Sequence, residues 1–187
     1  GCMRDYSMLE DIERVLISKE EIQQKVREIG KQISEDYRGK NLMLVSVLKG
    51  SVVFMADLMR AIDIPVSIDF MSVSSYGCGT KTSGIVRIIK DLNEPVAGVD
   101  ILLVEDILDS GLTLSYLMEH LSAKGAGSIR IATLLDKPER RRVNLLADYK
   151  CFSVPDEFVV GYGLDFDEKY RNLPFVGVLK PDAYTKK

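Results

Sequence analysis

Cysteine is scarce in this chain, and the three present, Cys2, Cys78 and Cys151, are widely spaced and odd in number. That pattern suits neither a disulfide framework nor a zinc site, and it fits a reducing cytoplasm. No apolar run approaches the length of a membrane span, and the N-terminus has no signal-peptide pattern. A membrane partner is therefore not expected. Excess charge is lacking too: the net charge is −3, with both signs interspersed. No broad basic surface is implied, which argues against nucleic acid as the partner. No Gly-x-Gly-x-x-Gly opens the first helix and no Gly-Lys-Ser/Thr loop occurs, so neither a Rossmann dinucleotide site nor a Walker-type site is indicated. Repeats, low-complexity stretches and linkers are absent, and residues 1–187 read as a single domain.

What is present is an ordinary globular balance of 46% hydrophobic and 28% charged residues. Ser18 to Tyr37 predicts a helix: Ser18 and Glu21 form a capping box, and Ile22, Val26, Ile29 and Ile33 recur at helical spacing before Gly39. Asn41 to Leu48 predicts a strand buried on both faces, and Val52 to Ile62 a short buried helix. Val66 to Val73 is the next strand. Ser74 to Ser83 is small and polar, and reads as a mobile loop before the strand Ile85 to Ile89. Asp100 to Val104 is a buried strand. It is followed by a helix whose inner face carries Leu114, Leu117, Met118 and Leu121, with Gly125 as its stop. Ser128 to Leu135, Tyr149 to Phe152, Phe158 to Val160 and Phe175 to Leu179 are further strands. Strands alternating with helices predict an α/β fold with a mainly parallel central sheet flanked by helices. Ligands in such sheets sit at the carboxyl ends of the strands, here the turns after Leu48, Val104 and Leu135.

The turn after Val104 carries the most chemistry. Glu105 and Asp106 end the strand, and Asp109-Ser110-Gly111-Leu112-Thr113 leads into the helix. Ser110, Gly111 and Thr113 present amides and hydroxyls at a helix N-terminus, a cradle for a monophosphate. Three carboxylates beside it would repel phosphate alone, but they suit a phosphorylated sugar that also brings hydroxyls and Mg²⁺. A helix cap with acids favouring the dipole is the other reading of these residues. His120, between Leu117 and Leu121, reads as a helix-surface residue.

The segment Val104 to Thr113 resembles the phosphoribosyl-pyrophosphate motif of the type I phosphoribosyltransferases, and three further motifs follow the same family order between about Glu10 and Leu179. Leu48-Lys49-Gly50-Ser51 is similar to the pyrophosphate loop of the hypoxanthine-guanine (6-oxopurine) branch, where the Leu-Lys peptide can be cis; Ser51 departs from its second glycine. Ser75-Tyr76 resembles the catalytic flap. Lys137 and the run Phe158 to Asp165 resemble the base pocket. Read without the resemblance, Lys49 sits in an ordinary turn, Ser75-Tyr76 in a hairpin tip, and Phe158 and Val159 at a buried strand end.

The resemblance implies the type I fold with a small hood subdomain, built from the N-terminal segment and about residues 150–187, and a mobile flap over about 72–86. It implies that Glu105 and Asp106 bind the ribose hydroxyls and Mg²⁺, and that Ser110 to Thr113 hold the 5′-phosphate, with Leu112 where some members carry lysine. Lys49, Gly50, Ser75, Tyr76 and Arg171 would serve the pyrophosphate. Lys137 would donate to the purine 6-oxo group, Phe158 would stack on the base, and the Val159 backbone would read its edge. Asp165 would bind a second Mg²⁺ near the base and pyrophosphate, and Asp109 would be the general base. The implied activity is phosphoribosyl transfer to hypoxanthine or guanine, by a homodimer or homotetramer. A xanthine-preferring transferase and a non-catalytic nucleotide-sensing regulator on the same fold are the alternatives.

Overall fold

The computed structural model describes residues 7–76 and 85–185. Its centre is a six-stranded sheet in the order β4-β3-β2-β5-β6-β7. The strands are β2 (Leu42–Val47), β3 (Ser67–Tyr76), β4 (Ile85–Lys90), β5 (Asp100–Leu108), β6 (Ser128–Asp136) and β7 (Tyr149–Ser153). All neighbours pair in parallel except β4, which runs antiparallel to β3 at the edge. Every residue of β2 is buried, as a central parallel strand covered on both faces requires. Successive residues feed opposite layers. Leu44 and Leu102 pack with α1 (Lys19–Asp36) and α2 (Val52–Ala61), while Val45 and Leu103 pack with α3 (Leu112–Ala123).

The capping box at α1 forms as its sequence predicts. Ser18 Oγ accepts from the Glu21 N–H at 3.1 Å, and Glu21 Oε1 accepts from the Ser18 N–H at 3.1 Å. Ile22, Val26, Ile29 and Ile33 are all buried. In α3, Leu114, Leu117 and Leu121 are buried as well, and Gly125 follows in the left-handed region at φ 87°.

Three segments differ from the sequence expectation. Ser74 to Tyr76 do not open a loop: they continue β3 and pair with Ile85 to Arg87 of β4, because an available ladder outweighs their small polar composition. The rest of the expected flap, residues 77–84, lies outside the described residues. β5 runs past Val104 to Leu108, since Glu105, Ile107 and Leu108 find partners in Thr133, Leu135 and Asp136 of β6. The acidic pair therefore sits on a strand rather than in a turn. Lastly, β1 (Ile12–Ile17) was not evident from the sequence. It joins β9 (Val176–Leu179) and β8 (Val159–Val160) in a separate antiparallel sheet ordered β1-β9-β8. β7 belongs to the large sheet, so this smaller unit takes its C-terminal strands from beyond Ser153. A short α4 (Pro181–Thr185) closes the described chain.

His120 is a structural residue. Its Nε2 lies 2.8 Å from Asp91 Oδ2, and Lys124 Nζ donates to the same oxygen at 2.6 Å. Burial raises the Asp91 carboxyl, but hydrogen bonds from Lys124, the Leu92 N–H and His120 outweigh it and bring its pKa down to about 2. A folded value below the unfolded one stabilises the protein above pH about 4, and the contribution is lost as pH falls through about 2. Asp91→Asn is expected to lower Tm by roughly 2–4 °C at pH 7. The difference from the parent protein should close near pH 2 in thermal melts across pH. Among the described residues, no helix is long and apolar enough to cross a membrane.

Candidate active site at the carboxyl ends of the strands

The chain turns sharply after β2. The Leu48–Lys49 peptide is cis. Ser51, the departure from the glycine pattern, is fully buried and has a structural reason: its Oγ donates to the Val47 carbonyl at 2.6 Å and lies 2.7 Å from Ser46 Oγ. Gly50 lies directly against Asp106. A Cβ there would fall 1.9 Å from Asp106 Oδ2. On the other side, Gly163, at φ 99°, lies against Gly50, and a Cβ on it would fall 2.3 Å from the Gly50 carbonyl oxygen. Two missing side chains thus let residues from three distant segments meet. Gly163→Ala is expected to cost at least about 1 kcal/mol of stability, because it adds backbone strain to a backbone clash. Gly50→Ala should displace only the Asp106 carboxylate and leave Tm closer to that of the parent. Paired thermal melts check the difference.

Around this contact stand two further residues of the predicted pyrophosphate set, Lys49 and Arg171. Lys49 Nζ is 3.2 Å from Glu168 Oε2. Arg171 Nη1 donates to the Gly163 carbonyl at 2.7 Å, and its Nη2 is 3.5 Å from Asp165 Oδ1 and 3.0 Å from Glu168 Oε1. The segment holding Glu168 and leading to Arg171 is built with left-handed residues: Tyr162, Asp167, Glu168 and Tyr170 all have positive φ. That is backbone strain of a kind concentrated at functional sites. Glu168 belongs to none of the sequence motifs, yet it pairs with both predicted cations.

Glu105 and Asp106 are partly buried and electrostatically uncomfortable. Desolvation, with Asp106 beside it, pushes the Glu105 carboxyl well above its ordinary value. Burial also raises Asp106; the Ile107 and Asp106 N–H groups and Arg171 oppose this, and Asp165 adds to it. Two crowded acids of this kind welcome a cation. Among the described residues, no three His, Cys, Asp or Glu side chains form a ready metal cage, so Glu105, Asp106 and Asp165 do not close around one point.

The loop after β5 leads into α3 through Gly111 at φ 83°, which has no side chain to cap the helix; Ser110 Oγ accepts from the Leu112 N–H at 3.3 Å. A small cavity of about 90 Å³ lies there, lined in part by Glu105, Asp109, Ser110, Gly111 and Thr113. Leu112 begins the helix, exposed. Arg141, which belongs to none of the sequence motifs, braces the loop. Its Nε donates to the Asp109 carbonyl at 3.1 Å and its guanidinium pairs with Asp136, while the Arg142 N–H donates to the Ser110 carbonyl at 2.9 Å.

Next to this loop, a second cavity of about 390 Å³ brings together Asp109, Lys137, Phe158 and Val159, with Ile107, Arg140 and Asp156. Lys137 is almost buried, and its Nζ donates to the Glu157 carbonyl at 3.1 Å. Asp109 Oδ1 accepts from Arg140 Nε at 2.8 Å, and Arg140 Nη1 donates to Asp156 at 3.0 Å. Phe158 sits just before β8 and Val159 within it, paired with Val178. Ile107 was missed because the strand was expected to end before it, and an apolar residue in the following turn carries no chemistry of its own. Arg140 and Asp156 were missed because their meeting depends on how the segments after β6 and β7 fold back. Ser75 and Tyr76 enter only as the end of β3.

Comparison with known proteins gives consistent similarities. The family model of the phosphoribosyl transferase domain matches residues 17–167. The chain is 56% identical over 177 residues to the hypoxanthine-guanine phosphoribosyltransferase of Bacillus subtilis, covering 95% of this chain and 98% of that protein. It is 54% identical over 180 residues to the bifunctional protein TilS/HprT of Listeria monocytogenes, covering 96% of this chain but spanning only 28% of that longer protein. In structure it is similar to a hypoxanthine phosphoribosyltransferase from Staphylococcus aureus, with a TM-score of 0.94 and 48% identity, covering 98% of this chain and 100% of that one.

Proposed function

The chain belongs to the phosphoribosyltransferase family and has the type I fold, and from that premise we propose that it transfers the phosphoribosyl group of 5-phosphoribosyl pyrophosphate to N9 of hypoxanthine or guanine. The products are the nucleoside monophosphate and pyrophosphate, and the setting is purine salvage in the cytoplasm. The observation that carries this reading is one cavity that unites Asp109, Lys137 and Phe158 beside the glycine-led N-terminus of α3.

In this reading Ser110 to Thr113 hold the 5′-phosphate at the helix N-terminus. Glu105 and Asp106 take the ribose hydroxyls. Ile107 and Phe158 bound the base, Lys137 donates to its 6-oxo group, and the Val159 backbone reads its edge. N9 attacks C1, the bond from C1 to pyrophosphate breaks, and Asp109 accepts the proton that the purine must lose, at N7. Asp109 can do this while Arg140 holds its other oxygen. Lys49, Gly50 and Arg171 bind the departing pyrophosphate, and Ser75 and Tyr76 belong to the flap that covers it. The β1-β9-β8 sheet is the hood.

The donor set fits Mg²⁺. Glu105 and Asp106 are crowded acids with few protein partners, and Mg²⁺ characteristically takes one or two carboxylates and draws its remaining ligands from water and substrate phosphate. Asp165, beside Arg171, suits a second such ion. Bound there, Mg²⁺ supplies positive charge for the leaving group. Two or four copies form the working assembly, which sedimentation checks.

The test is steady-state kinetics with hypoxanthine, guanine and xanthine, run alongside a gel shift with RNA and DNA. Hypoxanthine and guanine should give the highest kcat/KM, with no retarded nucleic acid. Preference for xanthine would reassign the base, and nucleic-acid binding without turnover would replace catalysis by regulation.

A further inference from the structure

We propose that Tyr184 is a positioning residue for the purine, acting through Phe158; this rests on the reading of Phe158 as the surface on which the base stacks. Phe158 needs such help. It lies just outside β8 and is 40% exposed, and its backbone is tied to β9 by the Leu179 N–H, which donates to the Phe158 carbonyl at 2.9 Å. That bond fixes the main chain and leaves the ring free to turn about its side-chain torsions.

The ring is held by other rings. Tyr184 stacks on Phe158 with centroids 4.9 Å apart and planes 16° from parallel. Phe166 meets the pair edge-on, 5.5 Å from Phe158 at 80° and 6.4 Å from Tyr184 at 66°. Phe158 lines the base cavity with Asp109 and Lys137, and Tyr184 does not. Tyr184 therefore backs the face of Phe158 turned away from the cavity and leaves the other face for the base. The support is itself anchored: the Lys180 N–H donates to the Asp11 carbonyl at 2.8 Å, and Ala183 packs against the cluster of Val160, Tyr170 and Leu179. The C-terminal segment thus reaches the base site through the Tyr184 ring. A stacked base prefers a ring of fixed orientation, because freezing a mobile one on binding costs affinity.

The experiment compares Y184A, Y184L, Y184F and F158L by KM for hypoxanthine, KM for phosphoribosyl pyrophosphate, kcat and Tm. Y184A and Y184L should raise the hypoxanthine KM roughly three- to tenfold, the scale set by one aromatic pair. The other KM and kcat should stay within about twofold. Y184F, which keeps the ring, should restore the parent value. An unchanged hypoxanthine KM in Y184A, with a raised one in F158L, would overturn the role of Tyr184 alone. Unchanged values in both would remove Phe158 from the base site and the inference with it. A lowered KM in Y184A would mean that Tyr184 covers the face the base needs. A parallel rise of both KM values with a fall in Tm would reduce Tyr184 to a structural residue. Either of these outcomes also overturns the proposal.

Discussion

Replacing Asp109 by asparagine should lower kcat by about 10²–10⁴-fold, the range typical of a positioned general base. The substitution is nearly isosteric. The asparagine carbonyl oxygen can still accept the bond that Arg140 Nε now makes to Asp109 at 2.8 Å. The Asp109 side chain is 46% exposed, so no buried charge partner is stranded by the change. Tm and the KM for phosphoribosyl pyrophosphate should therefore hold near their parent values while turnover collapses. That combination separates proton acceptance from binding. A mutant that turns over within a few-fold of the parent would take Asp109 out of the chemistry and leave it as the partner of Arg140.

The second large effect concerns which base is accepted. Lys137 is nearly buried, and its ammonium is placed by the Glu157 carbonyl at 3.1 Å and by Asp156 at 3.7 Å. An ammonium has donors only. Against a 6-oxo group it makes a charged hydrogen bond, worth about 1.5–3 kcal/mol; against the 6-amino group of adenine, donor meets donor. Hypoxanthine should therefore exceed adenine in kcat/KM by roughly 10–100-fold or more. Lys137→Gln should lose most of that ratio, chiefly by lowering the value for hypoxanthine, because glutamine can turn either a donor or an acceptor to the base. Comparable rates with adenine and hypoxanthine in the parent protein would remove Lys137 from base selection.

What could be read from the sequence was local. The segment from Glu105 to Thr113 is nearly continuous, so its acids, its left-handed glycine and its helix N-terminus are spelled in order. The capping box of α1 and the leucines of α3 are legible for the same reason. What could not be read depends on partners far along the chain. β1 exists because β9 pairs with it, Val15 opposite Gly177, and Glu13 and Arg14 obscure its alternation. The strand character of Glu105 to Leu108 comes from β6. Gly50 lies against Asp106, and Gly163 is required by the Gly50 backbone, so neither contact is visible within its own segment. Arg140 and Asp156 reach the cavity of Asp109 and Lys137 from two different loops, and Tyr184 meets Phe158 from the far end of the chain. The family and fold class were legible, while the residues that brace the candidate site were not.

The most direct test of the account is a crystal structure of this protein with the nucleoside monophosphate of hypoxanthine. The account predicts the purine between Phe158 and Ile107, its 6-oxo group within hydrogen-bond distance of Lys137 Nζ, N7 facing Asp109, and the phosphate against the amides of Ser110 to Thr113. A purine bound outside that cavity, or turned so that its oxygen points away from Lys137 while the phosphate still occupies the loop, would contradict it.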